Sequence, residues 1–121
     1  MIKKILFLFL ICNIAIAQER MSESEWIEKV MSQMNTQDKV SQLFVIRSKS
    51  DNNIEEINYI KNLLAKYAIG GVCFFQGTPR RQVELTNTYQ SICRVPLMIS
   101  MDAEWGTGLR LKNEGFSYPK K

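Results

Sequence analysis

Three short apolar runs constrain this chain most: Leu43-Phe-Val-Ile46, Val72-Cys-Phe-Phe75 and Leu97-Met-Ile-Ser-Met101. Each is preceded by a stretch whose apolar residues recur at helical spacing, so the predicted order is helix, β, α, β, α, β. Strands that alternate with helices pair in parallel through right-handed crossovers. Runs without apolar–polar alternation suit central strands covered on both faces. The connections, roughly two to six residues long, are the usual lengths in such units. The expected class is therefore α/β, with about three parallel strands and intervening helices.

The helices carry their own boundary signals. Ser24 is the expected cap of a first helix from Glu25, with Trp26, Val30 and Met34 on one face, broken at Asn35-Thr36. A short turn, Gln37–Gln42, follows around the single apolar Val40. Asn53 is the expected cap of a helix over 54–67, whose Ile54, Ile57, Ile60, Leu63 and Leu64 form a stripe ending at Gly70-Gly71. Thr78 caps the next helix and Pro79 takes its first position, where a missing N–H costs nothing. That helix runs to about Ile92 and points Val83, Leu85, Tyr89 and Ile92 inward. Pro96, which cannot donate to a ladder, marks the beginning of the third strand.

The chain of 121 residues, 45% hydrophobic and 23% charged, suits one small domain. Its net charge of +4 is modest, and no basic face with interleaved aromatics points to nucleic acid. With no histidine, this chain by itself has no His-based triad, no His-containing zinc site and no His general base. Met1-Ile-Lys-Lys and the apolar Ile5–Ala17 read as a secretory signal cleaved after Ala17, with an uncleaved anchor as the alternative. Residues 1–17 would then be the signal peptide and 18–121 the mature chain, exported to the periplasm or secreted, with no membrane association after cleavage. Cys73 and Cys93 remain as two thiols or, less simply, one bridge.

The candidate site lies where the third run ends. Asp102 closes it, and Ala103-Glu-Trp-Gly106 follows as a polar and aromatic loop, with Gly108 before Leu109-Arg-Leu111. Ligands of α/β folds sit at the carboxyl ends of parallel strands, so Asp102 is either a ligand-binding carboxylate or a turn-capping one. Trp105 is either a platform for an apolar ring face or loop packing. Glu104 is expected to brace the loop through hydrogen bonds rather than to act with Asp102 as a second carboxylate, since alternate residues of one extended segment point the same way. Gly70-Gly71 serves a helix stop and close packing rather than a phosphate cradle, because no Lys-Ser/Thr follows.

Four blocks carry a family resemblance: Asp38-Lys-Val-Ser-Gln-Leu-Phe44, Ile69-Gly-Gly-Val-Cys-Phe-Phe75, Leu85-Thr-Asn87 with Val95-Pro-Leu-Met-Ile-Ser100, and Met101-Asp-Ala-Glu-Trp-Gly106 with Arg110. Over residues 25 to 119 the chain resembles the N-terminal part of glycoside hydrolase family 3, most closely its β-N-acetylhexosaminidase branch. The resemblance implies the N-terminal portion of a (β/α)8 barrel that cleaves terminal β-linked sugars with retention, β-N-acetylhexosaminides before β-glucosides. It implies that Asp102 binds sugar hydroxyls and that Arg110, eight residues on, belongs to the same substrate site. No metal or organic cofactor is implied. The family's nucleophile aspartate, Lys-His pair and acid/base group have no counterpart in these residues. The expectation is a barrel lacking its remainder, with a sugar subsite and no catalytic group, or else a non-catalytic carbohydrate-binding fragment.

Overall fold

The computed structural model describes residues 21–51 and 53–111. The expected signal segment over 1–17 lies outside the described residues. The chain divides between Ser32 and Gln33 into two units. In the first, helix α1 spans Glu23–Ser32. Ser22, not Ser24, caps it: Ser22 Oγ accepts from the Glu25 N–H at 3.3 Å, while the Glu25 carboxylate accepts from Ser22 N and Oγ at 2.8 Å. This is the Ser-x-x-Glu capping box, and it starts the helix two residues before the expected Glu25. Met34 falls beyond the helix end.

The second unit runs α2 (Thr36–Ser41), β1 (Val45–Ser48), α3 (Ile54–Lys66), β2 (Gly71–Phe74), α4 (Pro79–Ile92) and β3 (Met98–Met101), then a 3₁₀ turn at Thr107–Leu109. The strands form one parallel sheet in the order β1-β2-β3. The predicted class, α/β with three parallel strands and intervening helices, is what this unit forms. Asn53 and Thr78 cap α3 and α4 as their sequence positions predict, each side-chain oxygen accepting an N–H three residues on. Among the described residues no helix is long and apolar enough to cross a membrane.

Register sorts the strand residues onto two faces. Ile46, Val72 and Ile99 align, as do Ser48, Phe74 and Met101, and these rows pack with Ile57, Ile60 and Leu64 of α3 and Leu85 and Tyr89 of α4. Phe74 and Tyr89 stack at the centre, their ring centroids 6.2 Å apart. The alternate rows, Val45–Gly71–Met98 and Arg47–Cys73–Ser100, lie on the opposite face. There Met98 is 69% exposed, which overturns the expectation that the strands are covered on both sides. The reason is layer count: both long helices of this unit pack on one side of the sheet.

Other departures are local. Strand β1 begins two residues later than expected, because the Gly70 and Gly71 N–H groups donate to Phe44 O and set the ladder there. Leu43, predicted inside the strand, is 83% exposed. Ile54 and Val83, predicted inward, lie exposed at the outer edges of their helices. In α2 the polarity is inverted, with Asp38 and Ser41 buried and Val40 exposed. Gly70 does not stop α3, which ends at Tyr67. Its role is close approach, since a Cβ there would collide with the Gln42 carbonyl.

Candidate functional site

Parallel pairing brings Ser48, Phe74 and Met101 into one row, so the residues that follow them gather at one edge of the sheet. Phe75 N donates to Ser48 O at 2.9 Å, which carries the ladder one step past β2. Asp102 thus sits at the same end as the loops leaving β1 and β2, as its sequence position predicts.

Those loops are bonded to one another. Ser50, buried behind them, donates its N–H to Gln76 O at 2.8 Å, and its Oγ accepts from the Thr78 N–H at 3.1 Å. Gly77 adopts φ +143°, and a Cβ on it would collide with Ser50 Oγ, so only glycine fits this turn. Its N–H donates to Arg110 O at 3.1 Å, and Gly77 and Leu111 form a parallel bridge. The loop after β3 is thereby tied to the loop after β2.

The structure brings together two of the three predicted site residues. Arg110 donates from Nε to the Asp102 carbonyl and from Nη2 to Asp102 Oδ2, each at 2.5 Å. The pairing engages both the side chain and the backbone of Asp102, and it occupies the Nε–Nη2 edge of the guanidinium. Arg110 is largely covered at 17% exposure, whereas Asp102 keeps 42% of its side chain open. Arg110 pairs with Asp102 and not with Glu104.

Glu104 does not brace the loop: it is exposed and makes no hydrogen bond or ion pair among the described residues. Trp105 stands beside it, 37% exposed, followed by Gly106 at φ +89°. Gly106 N donates to Ala103 O at 2.9 Å, closing a tight turn that carries Trp105.

Sequence reasoning missed Phe75 and Ser50. The Arg110 guanidinium lies over the Phe75 ring, its Cζ 4.8 Å from the centroid. Phe75 looked like the last core residue of an apolar run, and nothing in spacing separates a core phenylalanine from one just past a strand end. Ser50 lay in a polar turn whose partners are 26 and 28 positions away.

Two clefts flank the sheet elsewhere. One, of about 380 Å³, lies beside β1 and α3 with Arg47, Lys49, Glu56 and Tyr59 on its walls. The other, of about 440 Å³, lies between α4 and Met101, and its lining includes Gln82, whose Oε1 is buried without a hydrogen-bond partner. Neither is lined by Asp102 or Arg110. Among the described residues no cluster of three or more His, Cys, Asp or Glu side chains is placed to hold a metal. Cys73 and Cys93 are both free thiols, and burial pushes the Cys93 thiol up. No family model and no curated protein matches this chain.

Proposed function

We propose that this chain supplies part of a sugar subsite in an exported glycoside hydrolase of family 3 type, its three βα elements forming the N-terminal portion of a (β/α)8 barrel. The observation that carries the reading is the Asp102–Arg110 pair at the carboxyl end of β3, with 42% of the Asp102 side chain exposed. A carboxylate accepts from two vicinal hydroxyls, and a guanidinium donates in a fixed fork. Two of the five guanidinium N–H groups are engaged by Asp102, so the remaining donors stand next to a carboxylate that keeps 42% of its side chain exposed. That pattern matches neighbouring hydroxyl groups or a hydroxyl beside an acetamido carbonyl. The pair is formally neutral, which favours neutral sugars over uronates.

Family chemistry of this type proceeds through a covalent glycosyl-enzyme and needs a nucleophile and an acid/base group on opposite sides of the bond. These residues offer no counterpart of either, so the chain binds sugar without cutting it. Terminal β-N-acetylhexosaminides are the favoured ligands, β-glucosides next. A carbohydrate-binding fragment with no catalytic role makes the same contacts and is the second reading.

The test pairs equilibrium binding of N-acetylglucosamine with hydrolysis of a chromogenic β-N-acetylglucosaminide. Binding that falls at least about tenfold in Asp102→Ala, the loss of one charge-assisted hydrogen bond, together with no hydrolysis above a blank, is the expected result. Hydrolysis by the 121-residue chain would show that its catalytic groups are present after all. Equal binding by the Asp102→Ala variant would remove the site.

A further inference from the structure

We propose that Phe75 is the positioning residue of this site: its ring fixes the Arg110 guanidinium so that the donors not used by Asp102 point outward in one direction. The proposal rests on the sugar-site reading for its purpose, although the positioning itself is a property of the free protein.

Arginine is the most demanding side chain to hold still, with about 2 kcal/mol of rotamer entropy. An ion pair at a half-open surface does not restrain it unaided, because such pairs exchange readily with water. Arg110 is held at both ends by one loop. Its guanidinium lies over the Phe75 ring at 4.8 Å, and its own carbonyl accepts from the N–H of Gly77, two residues further along. Phe75 is in turn fixed by its N–H bond to Ser48 O, and Gly77 by the turn around Ser50. The ring therefore stands on the β1–β2 ladder, the most rigid support available to this edge.

Geometry divides the faces of the guanidinium. The guanidinium carbon lies over the aromatic ring, and one edge of the fork meets the Asp102 carboxylate and carbonyl. The edge left over is the one a ligand can use. A ring also offers what an aliphatic side chain lacks: its negative face attracts the cation without competing for any N–H. The loop after β2 thus sets the direction in which a residue of the loop after β3 donates.

The experiment reads the Arg110 side chain by NMR in the full chain, without ligand. Wild-type Arg110 should give a dispersed, slowly exchanging Nε–H signal and side-chain protons shifted upfield by the ring. Phe75→Leu should lose the upfield shift and broaden the Nε–H, while Phe75→Tyr should keep both. N-acetylglucosamine affinity should then fall up to about tenfold in Phe75→Leu, the range of a cation–π contact, and return in Phe75→Tyr. If Phe75→Leu does not fold, Phe75→Met takes its place, and a wild-type Arg110 without ring-shifted protons overturns the proposal with no variant at all. An Nε–H unaffected by loss of the ring also overturns it. Ring-dependent Arg110 signals with no sugar binding would uphold the positioning and overturn the carbohydrate reading.

Discussion

Arg94 places its Nη2 2.7 Å from Oδ1 of Asp38, a carboxylate that is only 8% exposed and lies 56 residues earlier in the chain. The same carboxylate closes the capping box of α2. Its Oδ2 accepts from the Asn35 N–H at 3.3 Å, and Asn35 Oδ1 accepts from the Asp38 N–H at 2.8 Å. One side chain therefore both starts α2 and ties it to the turn before β3. Asp38→Ala is expected to lower stability by about 2 kcal/mol, the sum of a lost cap and a lost charge-assisted bond. Arg94→Ala should cost about 1 kcal/mol or less, because that side chain is 66% exposed. Urea denaturation of both variants checks the order, and an equal loss would mean the cap contributes nothing.

Gly77 carries the second prediction. With φ at +143° and Ser50 Oγ occupying the space a Cβ needs, Gly77→Ala must either strain the backbone or separate the two loops. A loss of about 1–3 kcal/mol is expected, along with faster hydrogen exchange at Thr78 N–H, which donates to Ser50 Oγ. Unchanged exchange there would show that the turn around Ser50 is not what holds these loops.

The open row of the sheet has a consequence in solution. Val45 and Met98 approach each other over Gly71, where a Cβ would lie 3.4 Å from Val45 Cγ2 and 3.2 Å from Met98 Cβ. Leu43 and Phe44 are also exposed, and among the described residues the outer edges of β1 and β3 are unpaired. The chain is expected to self-associate at micromolar concentration, and Phe44→Ser with Met98→Lys to reduce it. Light scattering against concentration reads both. A monodisperse wild-type monomer with a cooperative thermal transition would contradict this.

Alkaline stability follows from two acids, Tyr89 buried and Cys93 half-buried. Burial raises Tyr89 above its ordinary value of 10.0, partly offset by the Ser48 hydroxyl at 3.4 Å, and burial likewise raises Cys93 above 9.0. In both cases the folded state holds the proton more tightly than the unfolded chain does. Their contribution is thus intact below pH 9 and is lost as pH rises through the shifted values. Stability should decline from about pH 9 upward, less steeply in Tyr89→Phe. A flat profile to pH 11 in the wild type would contradict the burial of both groups.

What the sequence made legible was local, and what it hid was distant. The caps at Asn53 and Thr78 and the proline at position 79 were readable because a helix start is encoded within four residues. The strands were recognisable as apolar runs, yet β1 was displaced because its ladder begins where Gly70 and Gly71 meet Phe44, a contact made far along the chain. Arg47 and Ser48 are polar but belong to β1, one on the open face and the other buried against Tyr89. Burial of Asp38 instead of Val40 depended on Arg94. At the site, Asp102 was marked by its place after a strand, whereas the support under Arg110 came from a phenylalanine that sequence alone assigns to the core.

The most direct measurement is a titration of the isotopically labelled full chain with N-acetylglucosamine, followed by chemical-shift mapping. Shifts at Asp102, Arg110 and the Phe75–Gly77 loop, absent in Asp102→Ala and weaker with glucuronate, are the predicted result. Shifts confined to the cleft beside β1 and α3, or none at millimolar sugar, would contradict the account.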